Sequence, residues 1–290
     1  MESLNLCGPI VGSLSWELFR FAPYVNYIKK ENPKILLGVY TRPSRFDLYG
    51  NADIFVPLRI KNDNTTIQIN SNLEGLSEDN YNKMVNTLYR KYKLSYKIEN
   101  HIYPDISFDR INFKWKFPPY KMNYNFLPRV ENLKIMSKVL GKKSIFIDLG
   151  YSYMDESIYI LSEINKVYDK STIFICYNPK KENIDLLFSN RIVIDLNNLE
   201  YNKNTSLLGC VILAIDNSIH TISTNISDVT HLSLLLNKKV LMFRENYYPE
   251  FLDTINPLKT KIEKFPKFKG SICKPIPSFN GEKNKSTMYF

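Results

Sequence analysis

The chain is poor in cysteine, histidine and glycine, with 4, 3 and 10 among 290 residues, and it has no apolar run long enough to cross a membrane. Each shortage excludes something. Cys7, Cys176, Cys210 and Cys273 form no C-x-x-C pair, which argues against a disulfide framework or a thiolate zinc cage and for buried free thiols in a reducing compartment. His101, His220 and His231 form no H-x-x-x-H, so a zinc hydrolase is disfavoured. The best apolar run, Leu207 to Ile215, stops well short of the roughly 18–20 residues of a span. Met1-Glu2-Ser3 puts no basic segment ahead of an apolar one, so no secretory leader is visible. The expectation is a soluble, cytoplasmic protein.

What is present is ordinary globular material, 44% hydrophobic, 13% aromatic and 23% charged, with an uneven positive balance. The 39 basic and 29 acidic residues give +10. Lys83 to Lys121 carries nine basic and three acidic residues, and Asn256 to Phe290 carries eight and two, so each segment nets +6. The first also holds nine aromatics, among them Tyr89, Tyr103 and Trp115. Cations interleaved with rings suit an anionic partner that offers flat faces, a nucleic acid or a phosphorylated sugar; a solvated basic surface over ordinary core rings is the competing reading.

The order of elements reads as α/β. Leu4 to Cys7 predicts a strand, Trp16 to Lys30 a helix that Pro23 should kink or break, Ile35 to Tyr40 a buried strand, Asp53 to Leu58 a shorter one, and Ser77 to Tyr96 a helix. Pro118, Pro119 and Pro128 mark a connection. A second unit follows, with strands at 144–150, 172–177, 191–195, 220–224 and 240–243 and helices at 156–168, 181–188, 206–217 and 228–236. Crossovers of this kind make the strands parallel, and the fold class is α/β with two Rossmann-like halves facing a central cleft. The expected divisions are 1–128, an acceptor-binding half; 129–255, a nucleotide-sugar-binding half; and 256–290, a basic tail.

Two segments could carry chemistry. Gly12-Ser13-Leu14-Ser15-Trp16-Glu17 leads from a strand into a helix, where small residues admit a ligand to backbone amides and Glu17 could take a proton from a hydroxyl. An acid in a first turn also simply complements the helix dipole. Ser223 to Leu232 runs from a strand through a polar turn into a helix N-terminus, a physical solution for holding a diphosphate. Ser227 reads as the N-cap with Asp228 and Thr230 in the first turn, which capping alone would explain, and His231 follows.

The arrangement Gly12-x-x-x-x-Glu17 with Pro23 six residues on, and the run Thr230-His231 through Lys238-Lys239-Val240, resemble the two signatures of heptosyltransferase-like glycosyltransferases of the GT-B type. The resemblance implies that Glu17 is the base on an acceptor hydroxyl and that His231 assists the leaving group. Ser227, Asp228, Thr230 and Lys238 would then hold the donor, and Gly12, Ser13, Trp16, Arg20, Lys114, Trp115 and Lys116 the acceptor. It also implies a metal-independent, inverting transfer from a nucleotide-diphosphate sugar, a UDP-sugar first among them, with no further cofactor. No Asp-x-Asp occurs. The chain departs from the family at Ile226 and Asp228, where an acid and a Gly respectively are usual, and at Gly150-Tyr151-Ser152-Tyr153, which lacks the usual basic residue.

The favoured acceptor is DNA bearing a hydroxylated or hydroxymethylated pyrimidine, as in phage DNA-modifying glycosyltransferases, which the Lys-, Asn- and Ile-rich composition fits; the compartment would then be a host cytoplasm. A phosphorylated glycan or lipid-linked sugar is the alternative acceptor, and a non-catalytic nucleic-acid-binding α/β module the alternative of another class.

Overall fold

The computed structural model describes residues 1–11, 14, 17–58, 78–103, 126, 128–150, 154–179, 184, 190–202, 204–224, 227–242 and 262–264, with only the backbone of 19, 20, 154–157 and 262–264. Two parallel sheets result. The first comprises β1 (Ser3–Cys7), β2 (Leu36–Thr41), β3 (Ile54–Pro57) and β4 (Lys97–Ile102) in the order β3-β2-β1-β4. Between β1 and β2 a π-helical turn (Glu17–Phe21) runs into α1 (Ala22–Glu31). A 3-10 helix (Pro43–Leu48) follows β2, and α2 (Glu78–Tyr92) precedes β4.

The second sheet holds β5 (Ser144–Asp148), β6 (Ile173–Tyr177), β7 (Val193–Asp195), β8 (Thr221–Ser223), β9 (Val240–Met242) and β10 (Ile262–Lys264), in the order β10-β9-β8-β5-β6-β7. Its helices are α3 (Val130–Met136) ahead of β5, α4 (Met154–Val167), α5 (Leu207–Asn217) and α6 (Asp228–Leu235). In each sheet the first strand in sequence lies inside and the winding reverses beside it, between β1 and β4 and between β5 and β8. The crevice at the carboxyl ends of such a reversal is where doubly wound sheets take their ligands.

Of the two readings of Pro23, the break is the one observed: the π-helical turn ends at Phe21 and Pro23 sits in the first turn of α1, where its missing N–H removes no intrahelical bond. Two sequence expectations are corrected. The predicted helix to Tyr96 stops at Tyr92, because Lys97–Ile102 is a strand. The stretch 262–264, assigned to a basic tail, pairs in parallel with β9 and extends the second sheet. The predicted helix at 181–188 falls almost wholly outside the described residues.

Alternation along the strands divides the core. Ile145 and Ile147 of β5 face Ile160, Leu161 and Ile164 of α4, whereas Phe146 joins a larger cluster on the opposite face with Ile173, Val211 and Ile215. That larger cluster continues without a break into Cys7, Val39, Leu18, Phe21 and Leu48 of the first half. One apolar core therefore spans both sheets, and the 3-10 helix and α5 carry it across.

At this seam lies a buried polar latch. Asp47, 0% exposed, accepts from the Ser206 hydroxyl at 2.7 Å, from the Arg129 amide at 3.1 Å and from the Asn132 amide group at 3.5 Å, with the Arg129 guanidinium at 3.6 Å. Ser206 also caps α5 by accepting from the Gly209 amide at 3.0 Å. Gly209 is required by close approach, since a Cβ there would fall 1.8 Å from Asn132 Nδ2. Gly209→Ala is expected to destabilise the chain by about 1–3 kcal/mol through forced displacement of Asn132, read as a lowered urea midpoint. An unchanged midpoint would show that the seam yields freely.

Candidate functional site

The π-helical turn after β1 delivers Glu17 into the first half's interior, with 4% of its side chain exposed. Oε1 accepts from the Thr41 hydroxyl at 3.0 Å and the Tyr49 hydroxyl at 2.6 Å, and Oε2 accepts from Arg45 Nη1 at 2.6 Å. All three donors come from the end of β2 and the 3-10 helix that follows. Burial, and then the neighbouring Glu17 charge, hold the Tyr49 hydroxyl well above the usual tyrosine range, so it remains a donor. Glu17 is thus first of all the internal counter-charge of Arg45, and three of its roughly four acceptor positions are filled.

At the second reversal the carboxyl end of β5 meets the start of α6. Asp148, wholly buried, accepts from Ser227 Oγ at 2.5 Å, Ser223 Oγ at 3.1 Å and the Gly150 amide at 2.9 Å. Ser227 is the N-cap of α6 as the sequence suggests, accepting from the Thr230 amide at 3.1 Å, and the Thr230 hydroxyl lies 3.0 Å from that of Ser223. Burial pushes the Asp148 carboxyl up to about 6, partly offset by the two serines and the Gly150 amide. The hydroxyls of Ser227 and Ser223 are therefore turned inward onto one carboxyl, and that of Thr230 lies against the two serines. Of the leading α6 amides, those of Thr230 and His231 already bond Ser227, so an anion here depends on the amides before them.

His231 is completely buried, and desolvation pushes its imidazole down to about 3. It is neutral at ordinary pH and faces the interior, away from the exposed position that assisting a leaving group would need. Lys238 is also corrected. It lies past the end of α6, on the approach to β9, and thus at the amino edge of the sheet, opposite the reversal. There its ammonium bonds the Asp216 carbonyl near the end of α5.

Arg20 lies in the π-helical turn with its side chain outside the described residues, and Gly12, Ser13, Trp16, Lys114, Trp115 and Lys116 fall outside them entirely. Two surface cavities, of about 340 Å³ beside α3 and β7 and about 360 Å³ beside Phe126, α5 and the end of α6, are lined by none of the candidate catalytic, donor-binding or acceptor-binding residues. Among the described residues no group of three or more His, Cys, Asp or Glu side chains is placed to hold a metal ion, and no helix is long and apolar enough to cross a membrane.

Sequence reading missed Thr41, Arg45, Tyr49 and Asp148. The available signal was the clustering of Arg42, Arg45 and Asp47 just after an apolar strand, and a lone acid, Asp148, closing another.

No protein-family model and no curated protein matches the chain. Among solved structures it is similar to the glycosyltransferase SnogD from Streptomyces nogalater, at 10% identity and TM-score 0.38 over 91% of this chain and 86% of that one. It is similar also to UDP-GlcNAc 2-epimerase from Neisseria meningitidis bound to UDP-GlcNAc, at 13% and 0.41 over 91% and 87%. A third is Methanocaldococcus jannaschii UDP-GlcNAc 2-epimerase in complex with UDP-GlcNAc and UDP, at 14% and 0.32 over 87% of each chain. Likeness at these identities and scores decides nothing about chemistry, which must come from this chain's own topology and side chains.

Glu17→Gln leaves a buried guanidinium without its counter-charge and is expected to cost about 3–5 kcal/mol of stability, measured by urea unfolding; a loss below about 1 kcal/mol would contradict the pairing. The two shifted groups act oppositely with pH. The contribution of Asp148 to stability is full below 3.8, the ordinary value, and gone above about 6; that of His231 is full above 6.5 and lost as pH falls toward about 3. Asp148→Asn should therefore gain on the parent by roughly 3 kcal/mol as pH rises from 4 to 7. A constant offset across that range would contradict the assignment.

Proposed function

We propose that the chain is a nucleotide-sugar glycosyltransferase, with the donor against the reversal of the second sheet and the acceptor against the first. The observation that carries this is the six-stranded parallel order β10-β9-β8-β5-β6-β7, a doubly wound nucleotide-binding arrangement whose reversal meets Gly150 and the start of α6. The resemblance of the Glu17 and His231 segments to heptosyltransferase-like enzymes supports the same reading. An acceptor hydroxyl attacks the anomeric carbon, the new C–O bond forms as the bond to the diphosphate breaks, and the hydroxyl proton passes to Glu17. In-line displacement inverts the anomeric centre, and helix amides with basic side chains balance the departing diphosphate without a metal. His231 acts from inside α6, fixing the helix rather than touching the donor.

A polyanionic acceptor is favoured by the outer face of α2 and β4. Tyr89 and Tyr103 are exposed there, with the His101 ring between them at centroid distances of 5.8 and 4.9 Å. Lys93 lies over the Tyr89 ring at 5.8 Å, and Arg90, Lys91 and Lys97 are exposed nearby in sequence with no acid between residues 90 and 97. Rings and cations so interleaved suit nucleic acid, and DNA carrying a hydroxymethylated pyrimidine supplies both the polyanion and the hydroxyl.

The test is a donor panel incubated with hydroxymethylcytosine DNA, plain DNA and no acceptor, read by nucleotide release and nucleoside mass. One nucleotide sugar should be consumed, with a hexose-sized mass gain confined to the hydroxymethylated DNA. Release of nucleotide with no DNA product would move the acceptor to a glycan. Failure of every nucleotide sugar to bind the folded chain would overturn the enzyme reading, and salt-sensitive DNA binding alone would then leave a binding module.

A further inference from the structure

Arg45 is 1% exposed, and among the described residues one of its nitrogens is used: Nη1 bonds Glu17, while Nε and Nη2 have no hydrogen-bond partner there. Those two nitrogens form the side-on edge of the guanidinium, the geometry that receives two oxygens of one carboxylate or phosphate. A buried donor without an acceptor is costly, and a guanidinium edge more so than a neutral group. Native interiors rarely retain such groups, and those retained are concentrated where a ligand completes them.

The surroundings specify which ligand. Arg42 is buried as well, at 3% exposed, and the Arg45 amide bonds the Arg42 carbonyl at 2.9 Å, closing one turn between the two. Arg42 is the extended N-cap residue of the 3-10 helix and Arg45 lies within that helix, so both buried residues sit just beyond the carboxyl end of β2. The acids of this neighbourhood are already engaged. Glu17 is held by Thr41, Arg45 and Tyr49, and Asp47 by Ser206, Asn132 and Arg129. Glu17 meets the opposite side of the Arg45 guanidinium, so an anion at the open edge is separated from that carboxylate by the cation itself.

We propose that Arg45, with Arg42 beside it, forms an oxyanion subsite in the first half that takes a phosphate group of a substrate. The subsite does not depend on the transferase reading; within that reading it makes the acceptor half phosphate-selective. Because the edge is covered, occupancy is slow to exchange and strongly coupled to folding.

The experiment titrates the full-length chain with inorganic phosphate, glucose 6-phosphate and sulfate at constant ionic strength, chloride serving as control. Melting temperature and calorimetric affinity are the readouts, and no donor is present. Phosphate should raise the melting temperature in a saturable way that chloride does not reproduce. Arg45→Lys keeps a cation for Glu17 but loses the two-nitrogen edge, and should weaken phosphate binding at least tenfold with near-ultraviolet circular dichroism unchanged. Arg42→Lys should weaken it severalfold; if Arg45→Lys does not fold, Arg42→Lys decides alone. Either order of affinity between glucose 6-phosphate and inorganic phosphate supports the subsite, tighter binding of the sugar phosphate identifying a substrate's group and the reverse a free ion. Absence of saturable phosphate binding by the parent, or parental affinity in the folded variants, overturns it. Phosphate binding without sugar turnover would sink the transferase reading alone, and sugar turnover without phosphate binding would sink the subsite alone.

Discussion

The carboxylate of Asp47 holds the two halves of the molecule together. It belongs to the 3-10 helix after β2, yet its hydrogen-bond partners are Ser206 at the head of α5 and Arg129 and Asn132 at the head of α3. Burial pushes its pKa upward, against the lowering effects of Arg129 and Ser206. A carboxylate removed from water costs several kcal/mol, and here the guanidinium, a hydroxyl and two N–H donors offset that cost. Its position at the N-terminus of α5 also sets a negative charge at the positive end of a helix dipole. The surrounding apolar cluster runs through the same seam, so the packing of each sheet depends on the other being in place.

Much of this architecture is legible in the residues. Strands buried on both faces read as unbroken apolar runs, and Ser144 to Asp148 and Ile173 to Tyr177 are found where those runs predict them. Strand β4 is not legible in this way. Lys97-Ile98-Glu99-Asn100-His101-Ile102 is polar because β4 is an edge strand, bonded among the described residues to β1 alone, and edge strands protect themselves with charge. Helix α3 escapes notice for another reason: seven residues are too few for a helical period to stand out, and the helix owes its stability to the seam.

The candidate site divides along similar lines. Glu17 and Ser227 can be found from local context, because a turn between strand and helix has recognisable chemistry. Their partners cannot. Arg45 lies 28 residues from Glu17, and Asp148 lies 79 from Ser227, distances over which only the folded sheet decides who meets whom. Lys238 fails for a topological reason. A helix that starts at the carboxyl edge must end at the amino edge, and a residue just past its end is carried away from any ligand at its beginning.

The same partners bear on where a diphosphate was expected. The sequence places it at the N-terminus of α6, and a polyanion on the basic, ring-rich stretch of the first half. The α6 terminus instead has a buried carboxyl, Asp148, beneath its first turn and Asp228 within that turn, so its dipole is already partly satisfied by acids. The unsatisfied cationic edge lies in the first half, on Arg45. Carboxyl groups suit hydroxyl-rich ligands such as ribose and sugar rings, and open guanidinium edges suit phosphate.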